Sequence, residues 1–242
     1  TFRFAEVEGL SQKPAVDLLT GLVAHSDVRR TSGFECSDEL VNSIYQNCVW
    51  TQRASWIGLP SSSEKLNERM GALGPVQLSA RAACYHLDNA AFLREWFGQM
   101  RAGRDKGGYY RRYAPFPFAT GRVSHGAGFS DAGIHAVFDH WWMYGDMEVV
   151  KENWNAMQKY LQARYDAYRA LRGRAFGISE GDVMHYNDPT STRFIDLAML
   201  ALNFRLMAEM SRVAGNPINH LSYNRTFGEL QAAVVKGALG VG

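Results

Sequence analysis

Residues 131–171 read DAGIHAVFDHWWMYGDMEVVKENWNAMQKYLQARYDAYRAL. Ile134, Val137, Phe138, Trp141 and Trp142 recur at intervals of three and four, and after Gly145-Asp146 the spacing resumes at Val149, Val150, Trp154, Met157, Leu161, Tyr168 and Leu171. That period gathers apolar side chains on one face of an α-helix. A link as short as Gly145-Asp146 turns the second helix back along the first, so the stretch reads as an antiparallel helical hairpin.

The same pattern extends in both directions. Ser37 reads as an N-cap with Asp38 and Glu39 in the first turn, followed by Leu40, Val41, Ile44, Tyr45 and Cys48 on one stripe. Further stripes lie at about 76–86, at Leu93, Trp96, Phe97 and Met100, from Thr192 through Ile195, Met199, Leu202, Leu206 and Met210 to Gly215, and near Phe227 to Val235. The opening residues differ. Phe2, Phe4, Val7, Val16, Leu18, Leu22 and Val23 alternate and are broken at Gly9, Pro14 and Gly21, which predicts two or three short strands. A mainly α chain preceded by a few β-strands is therefore expected.

Long and short connections alternate along the helices. The links at His86 to Asn89 and at Gly145-Asp146 are tight, whereas those after Ser55, after Ala102 and after Leu171 are long. Alternation of this kind puts every long loop at one end of the array, and long loops in compact domains are usually functional. The first holds Trp56, Glu64, Glu68 and Arg69. The second holds Tyr109-Tyr110-Arg111-Arg112-Tyr113, His125, Phe129 and Asp131, and the third Glu180, Asp182, His185 and Tyr186. Aromatics beside carboxylates and arginines on one rim suit a carbohydrate, whose C–H faces stack on rings while its hydroxyls need fixed donors and acceptors. The binding candidates are Trp56, Glu64, Tyr110, Arg112, His125, Phe129, Asp131 and Asp182. The same clustering also fits a solvated rim whose aromatics cap the helix ends, and Asp131 reads first as the N-cap of the helix that follows it.

Composition narrows the partners. The 242 residues are 46% hydrophobic and 21% charged, ordinary values for a folded chain. With 26 basic against 24 acidic side chains there is no field to hold a polyanion, so nucleic acid is not the expected partner. No apolar run approaches the roughly 20 residues of a membrane helix. Cys36, Cys48 and Cys84 form no C-x-x-C pair and predict no disulfide framework. The histidines include no H-E-x-x-H, His135 and His140 lack a ligand spacing, and Gly103 to Gly108 precedes no helix, so neither a metal nor a cofactor is expected.

Several motifs then stand in a telling order. Ser63-Glu64-Lys65-Leu66-Asn67-Glu68-Arg69-Met70-Gly71-Ala72-Leu73-Gly74-Pro75 is followed by Tyr113-Ala114-Pro115, Phe129-Ser130-Asp131-Ala132, Tyr144-Gly145-Asp146 and Gly181-Asp182. The order resembles the bacterial α-L-rhamnosidases, whose catalytic domain is an (α/α)6 toroid of six helical hairpins behind β-sandwich modules. The family's loop has the form Asp-Cys-Pro-x-Arg-Glu-Arg-x-Gly-Trp-x-Gly-Asp, and Glu68, Arg69, Gly71 and Gly74 match it, while Ser63, Ala72 and Pro75 replace two aspartates and the tryptophan.

The resemblance implies residues 1–32 as the terminal strands of a β-sandwich module and 33–242 as the N-terminal portion of the toroid, its first half. It implies inverting hydrolysis of a terminal α-L-rhamnoside, with Glu68 as general acid and Arg69 ordering it. The base would be a glutamate from later hairpins. A twelve-helix ring needs on the order of 350 residues at roughly 30 per helix and loop, so the remainder of the same polypeptide is the expected partner besides the carbohydrate, in a bacterial periplasmic, secreted or cytoplasmic setting. Two other readings fit the residues. One is a polysaccharide lyase cleaving a rhamnose-glucuronate linkage, with Arg111, Arg112, His125 and the tyrosines 109–113 supplying cations and a proton carrier. The other is a non-catalytic carbohydrate-binding relative.

Overall fold

The computed structural model describes residues 4–61, 70–117, 126–171 and 186–238. Within them the chain forms α1 (Glu39–Ser55), a small hairpin of β1 (Trp56–Ile57) and β2 (Leu59–Pro60), then α2 (Leu73–His86), α3 (Ala90–Ala102), α4 (Ala132–Tyr144), α5 (Met147–Ala170), α6 (Thr192–Val213) and α7 (Pro217–Ala238). The predicted alternation holds: α2–α3, α4–α5 and α6–α7 have tight links, and the long connections precede α2, α4 and α6.

Local chemistry places the turns. Asp38, one residue beyond the expected Ser37, caps α1 by accepting from the Leu40 and Val41 amides at 2.8 and 3.3 Å. Its side chain meets free N–H groups that no helical carbonyl can reach. Asp146 caps α5 in the same way, accepting from Glu148 and Val149 at 3.0 and 3.2 Å, just after Gly145 ends α4 with φ 67°. Gly215, at φ 73°, turns α6 into α7, which begins at Pro217, where a missing N–H costs nothing.

α4 is the centre of the molecule. Ala132 to Val137 are all buried, and the helix packs against α2, α3, α5 and α6. Leu93, Trp96, Phe97 and Met100 of α3, Val149, Val150, Met157 and Leu161 of α5, and Leu200, Phe204 and Met207 of α6 complete one continuous core. Because the short links share one end, α2, α4 and α6 all start at the long-loop end and lie side by side. α3 and α5 form a second layer, and α7 packs along α6.

Three differences from the expectations follow. First, the expected opening strands are unconfirmed: the described part of that segment, residues 4–38, carries no strand. It makes a single antiparallel bridge, Arg30 with Leu87, and leaves Phe4, Val16 and Leu22 exposed. Alternation specifies a strand only when a neighbouring strand takes up its amides and carbonyls, and here none is adjacent. Secondly, α7 begins ten residues before the stripe at Phe227, because Asn219, Ser222 and Asn224 weaken the helical signal that packing on α6 overrides. Thirdly, Trp142 belongs to the α4 stripe in sequence but is exposed.

Candidate active site

At the long-loop end, the root of the first loop is stapled to the second. The Ala114 amide donates to the Gly71 carbonyl at 2.9 Å, the Leu73 amide to the Arg112 carbonyl at 3.0 Å, and Ala72 bridges Tyr113. Gly71 is required there: an added Cβ would lie 2.3 Å from the Ala114 carbonyl oxygen and 2.6 Å from Trp96 Nε1. The Trp96 indole donates to that same carbonyl at 2.8 Å, so α3 anchors the junction from below. The predicted Glu64, Glu68, Arg69, His125 and Asp182 lie outside the described residues. Glu68 is three residues upstream of this junction, and Ser61, buried, marks the loop's other root.

Arg112 and Phe129 come together. The guanidinium lies over the Phe129 ring at 4.9 Å and beside Tyr113 at 5.7 Å. The Phe129 ring rests on Gly74, where a Cβ would come within 2.5 Å of it. Trp56 and Tyr110 do not join them at the rim. Trp56 is 6% exposed and stacks on Phe92 with centroids 5.5 Å apart. Tyr110 is 1% exposed and its ring fills the space over Gly133, where an added Cβ would meet it at 2.1 Å. Burial pushes the Tyr110 hydroxyl far above the usual phenol range, and Tyr109 donates to the Ala163 carbonyl at 3.0 Å.

Asp131 is not a helix cap. Its side chain accepts nothing from the α4 amides and is fully buried. Instead one carboxylate oxygen accepts from the Gly128 amide at 2.8 Å, and the other from the Tyr160 hydroxyl at 2.7 Å and the Asn203 amide at 2.5 Å. Since the Asn203 nitrogen faces Asp131, its oxygen faces His135, whose Nε2 donates at 2.8 Å. Burial acts to raise the Asp131 carboxyl, but the Arg164 guanidinium, His135, the Gly128 N–H and the Asn203 amide outweigh it and hold it below the usual carboxylate range. Burial pushes His135 below the usual imidazole range, against the pull of Asp131 and the Asn203 hydrogen bond. Arg164, 2% exposed, pairs with Asp196 at 2.7 Å and stays charged. Sequence reading missed Tyr160, Arg164, Asp196 and Asn203. The available signal was register: Arg164 continues the buried stripe of Met157 and Leu161, and Asp196 and Asn203 lie seven apart on the buried face of α6.

Among the described residues no group of His, Cys, Asp or Glu is placed to hold a metal, and no helix is long and apolar enough to cross a membrane. The three cysteines are unpaired thiols.

The chain is similar to an α-L-rhamnosidase of Streptomyces avermitilis, at 30% identity over 218 residues, covering 88% of this chain and 20% of that protein. It is 27% identical over 165 residues to an α-L-rhamnosidase of Formosa agariphila, covering 65% of this chain and 17% of that one. It therefore spans about a fifth of the length of these relatives. The fold superimposes on the crystal structure of the Streptomyces avermitilis enzyme complexed with L-rhamnose, with TM-score 0.80 at 24% identity over 87% of this chain and 20% of that one. Against the α-L-rhamnosidase of Dictyoglumus thermophilum the TM-score is 0.82 at 22% identity, covering 93% and 26%. Residues 29–237 match the bacterial alpha-L-rhamnosidase 6 hairpin glycosidase domain, so the helical hairpins, their alternating loops and the stapled Gly71 junction belong to a chain of that family.

Proposed function

We propose that residues 33–242 form the first part of a six-hairpin ring that hydrolyses a terminal α-L-rhamnoside with inversion. Glu68 protonates the departing glycosidic oxygen, and Arg69 orders its carboxyl. The observation that carries this reading is the junction of Gly71, Ala72 and Leu73 with Arg112, Tyr113 and Ala114, which fixes the root of the Glu68 segment against an arginine-aromatic rim. In the site so formed, Arg112 and Phe129 contact the sugar together with Glu64, His125 and Asp182, while Trp56, Tyr110 and Asp131 support the rim from beneath. Inversion needs a second carboxylate about 6.5–9.5 Å from the acid to activate water across the ring. That base is supplied by polypeptide beyond residue 242.

The same remainder covers the apolar edges. Ile44, Cys48 and Thr51 of α1 and Val76, Leu78 and Ala82 of α2 line an open groove of about 590 Å³, and Leu78 is 83% exposed. Exposed apolar surface of this kind calls for a partner. Residues 1–32 gain strand geometry against a β-module in the same way. With Ser63 and Pro75 in place of acids, the sugar is held by fewer charged acceptors, and recognition leans on Arg112 and the rings.

The lyase alternative is weakened by geometry, because Tyr109 and Tyr110 spend their hydroxyls on structure and burial, which leaves it to Tyr113 and His125 to carry a proton. The experiment is to incubate the intact polypeptide with a rhamnosyl-glucuronate oligosaccharide, following free rhamnose and the ultraviolet absorbance of an unsaturated uronate. Rhamnose release without absorbance is expected. Rising absorbance establishes elimination, and neither signal establishes a binding relative.

A further inference from the structure

Where α3 ends and the second long loop begins, Arg101, Arg104 and Arg111 gather, and none of them is paired with a carboxylate among the described residues. Arg101 donates to the Asn153 side-chain oxygen at 2.8 Å, and Arg104 to the backbone carbonyls of Arg101 and Ala156 at 3.3 and 3.5 Å. The Arg111 guanidinium lies over the Phe116 ring at 4.2 Å, and its Nε is buried with no acceptor among the described residues. Neutral partners fix a guanidinium in place and leave its charge uncompensated. The macrodipole of α3 accounts for Arg101 and Arg104, which sit at its C-terminal end. It does not account for Arg111, which arrives on the loop.

Arg104 and Arg111 line one pocket together with Gln99, Pro115 and Phe116, and no acidic side chain is among the described residues that line it. Its volume is about 420 Å³, within the range of about 300–1,000 Å³ usual for small-molecule sites. The adjoining hollow differs, because there Asp105 and Asp166 offset Arg104, Lys106 and Lys159. Arg112, although next in sequence to Arg111, turns instead to Tyr113 and Phe129.

Two guanidinium groups without a counter-charge select an oxyanion, which their planar forks bind through paired N–H donors. The rest of the lining narrows the class. Pro115 and Phe116 add apolar surface, and Gln99 Oε1 is an acceptor with no donor among the described residues. That oxygen is buried at rest, and the broad torsion of its amide is enough to present it. A bare inorganic anion has no C–H face for Pro115 and Phe116. An acidic sugar has one, with hydroxyls for Gln99 as well.

We propose that this pocket is a carbohydrate site that holds the carboxylate of a uronic acid between Arg104 and Arg111, with Gln99 accepting from a sugar hydroxyl. The inference needs only the pocket and stands apart from the assignment of Glu68 as the acid.

The test measures binding of methyl β-D-glucuronide and methyl β-D-glucoside to the intact polypeptide by saturation-transfer nuclear magnetic resonance, with inorganic phosphate and L-rhamnose as competitors, for wild type, Arg111→Gln and Arg104→Gln. Wild type is expected to bind the glucuronide at least about tenfold more tightly than the glucoside, the scale of one charge-assisted contact. Each substitution is expected to weaken glucuronide binding about tenfold on the same scale, and Arg104→Gln carries the test if Arg111→Gln does not fold. Excess L-rhamnose, which occupies the proposed rim, is expected to leave glucuronide binding unchanged. Absence of glucuronide binding, equal affinity for the two glycosides, or no effect of either substitution overturns the inference. Displacement of the glucuronide by equimolar phosphate overturns the saccharide assignment in favour of a simple oxyanion site. Displacement by L-rhamnose assigns the glucuronide to the rim and overturns the pocket.

Discussion

Gly133 sits in the first turn of α4 with the Tyr110 ring where a side chain would be, at 2.1 Å from an added Cβ, whereas Gly98 in α3 has only a flexible arginine end at 3.7 Å. Gly133→Ala is therefore expected to cost about 1–3 kcal/mol through overpacking. Gly98→Ala is expected to gain about 0.5–1 kcal/mol by removing helix-interior glycine freedom. Denaturant midpoints of the two variants check the pair, and similar shifts in both refute the packing account. Titration gives a second expectation at this scale. Burial lowers His86, His135 and His140, so between the folded pKa and about 6.5 the unfolded chain binds more protons than the native one. Stability accordingly falls as pH drops below about 6.5, and Asp131, held low in the fold, adds a further loss below about pH 4. His135→Gln retains an N–H for Asn203 without titrating, and it should make the first part of that decline shallower. Asp131 stood out in the sequence as the opening of a helix, but the cap reading used only neighbours along the chain. Its real partners, Tyr160 and Asn203, come from two other helices, and no local pattern announces a contact across 29 or 72 residues.

Helices were the legible elements. Each long stripe, from Leu40 to Met210, became a helix near its expected place, because an apolar face of period 3.6 has one way to be buried. The opening strands were not legible, since a period of two says which face is apolar but supplies no partner strand. The onset of α7 was missed for the opposite reason, its polar residues hiding a helix that α6 holds in place. Caps test this account. Asp146→Ala removes the acceptor of two free amides at the start of α5 and one partner of Arg94, and a loss of about 1 kcal/mol is expected. Asp38→Ala removes an equivalent cap from α1, whose Leu40, Val41 and Ile44 are exposed, so its effect should appear as local fraying in amide exchange at residues 39–42 with little change in the global midpoint. Equal global losses from the two substitutions would contradict the difference in packing.

At the scale of the whole molecule, two helical faces among the described residues are uncovered. One is the α1–α2 groove with Ile44 and Leu78, and the other is α7 with Ile218 and Leu221, 82% and 73% exposed. Produced alone, the 242-residue chain is expected to self-associate in a concentration-dependent way by sedimentation. Leu78→Asp should reduce that association, whereas in the intact polypeptide the same change should cost about 1.5–3 kcal/mol, the worth of a buried leucine. At this scale the sequence was most informative where loops alternate and motifs fall in order, and least informative about the site itself, whose second carboxylate is proposed to lie beyond residue 242. The central claim is that Glu68 acts as the acid of an inverting rhamnoside hydrolase. It is tested most directly by following the anomeric proton of the released sugar by nuclear magnetic resonance, using the intact polypeptide, an alkyl α-L-rhamnoside and the Glu68→Gln variant. The account predicts β-L-rhamnose as the first product of the wild type and a loss of about 10²–10⁴-fold in its release by the variant; α-L-rhamnose as the first product, or unchanged release by Glu68→Gln, would contradict it.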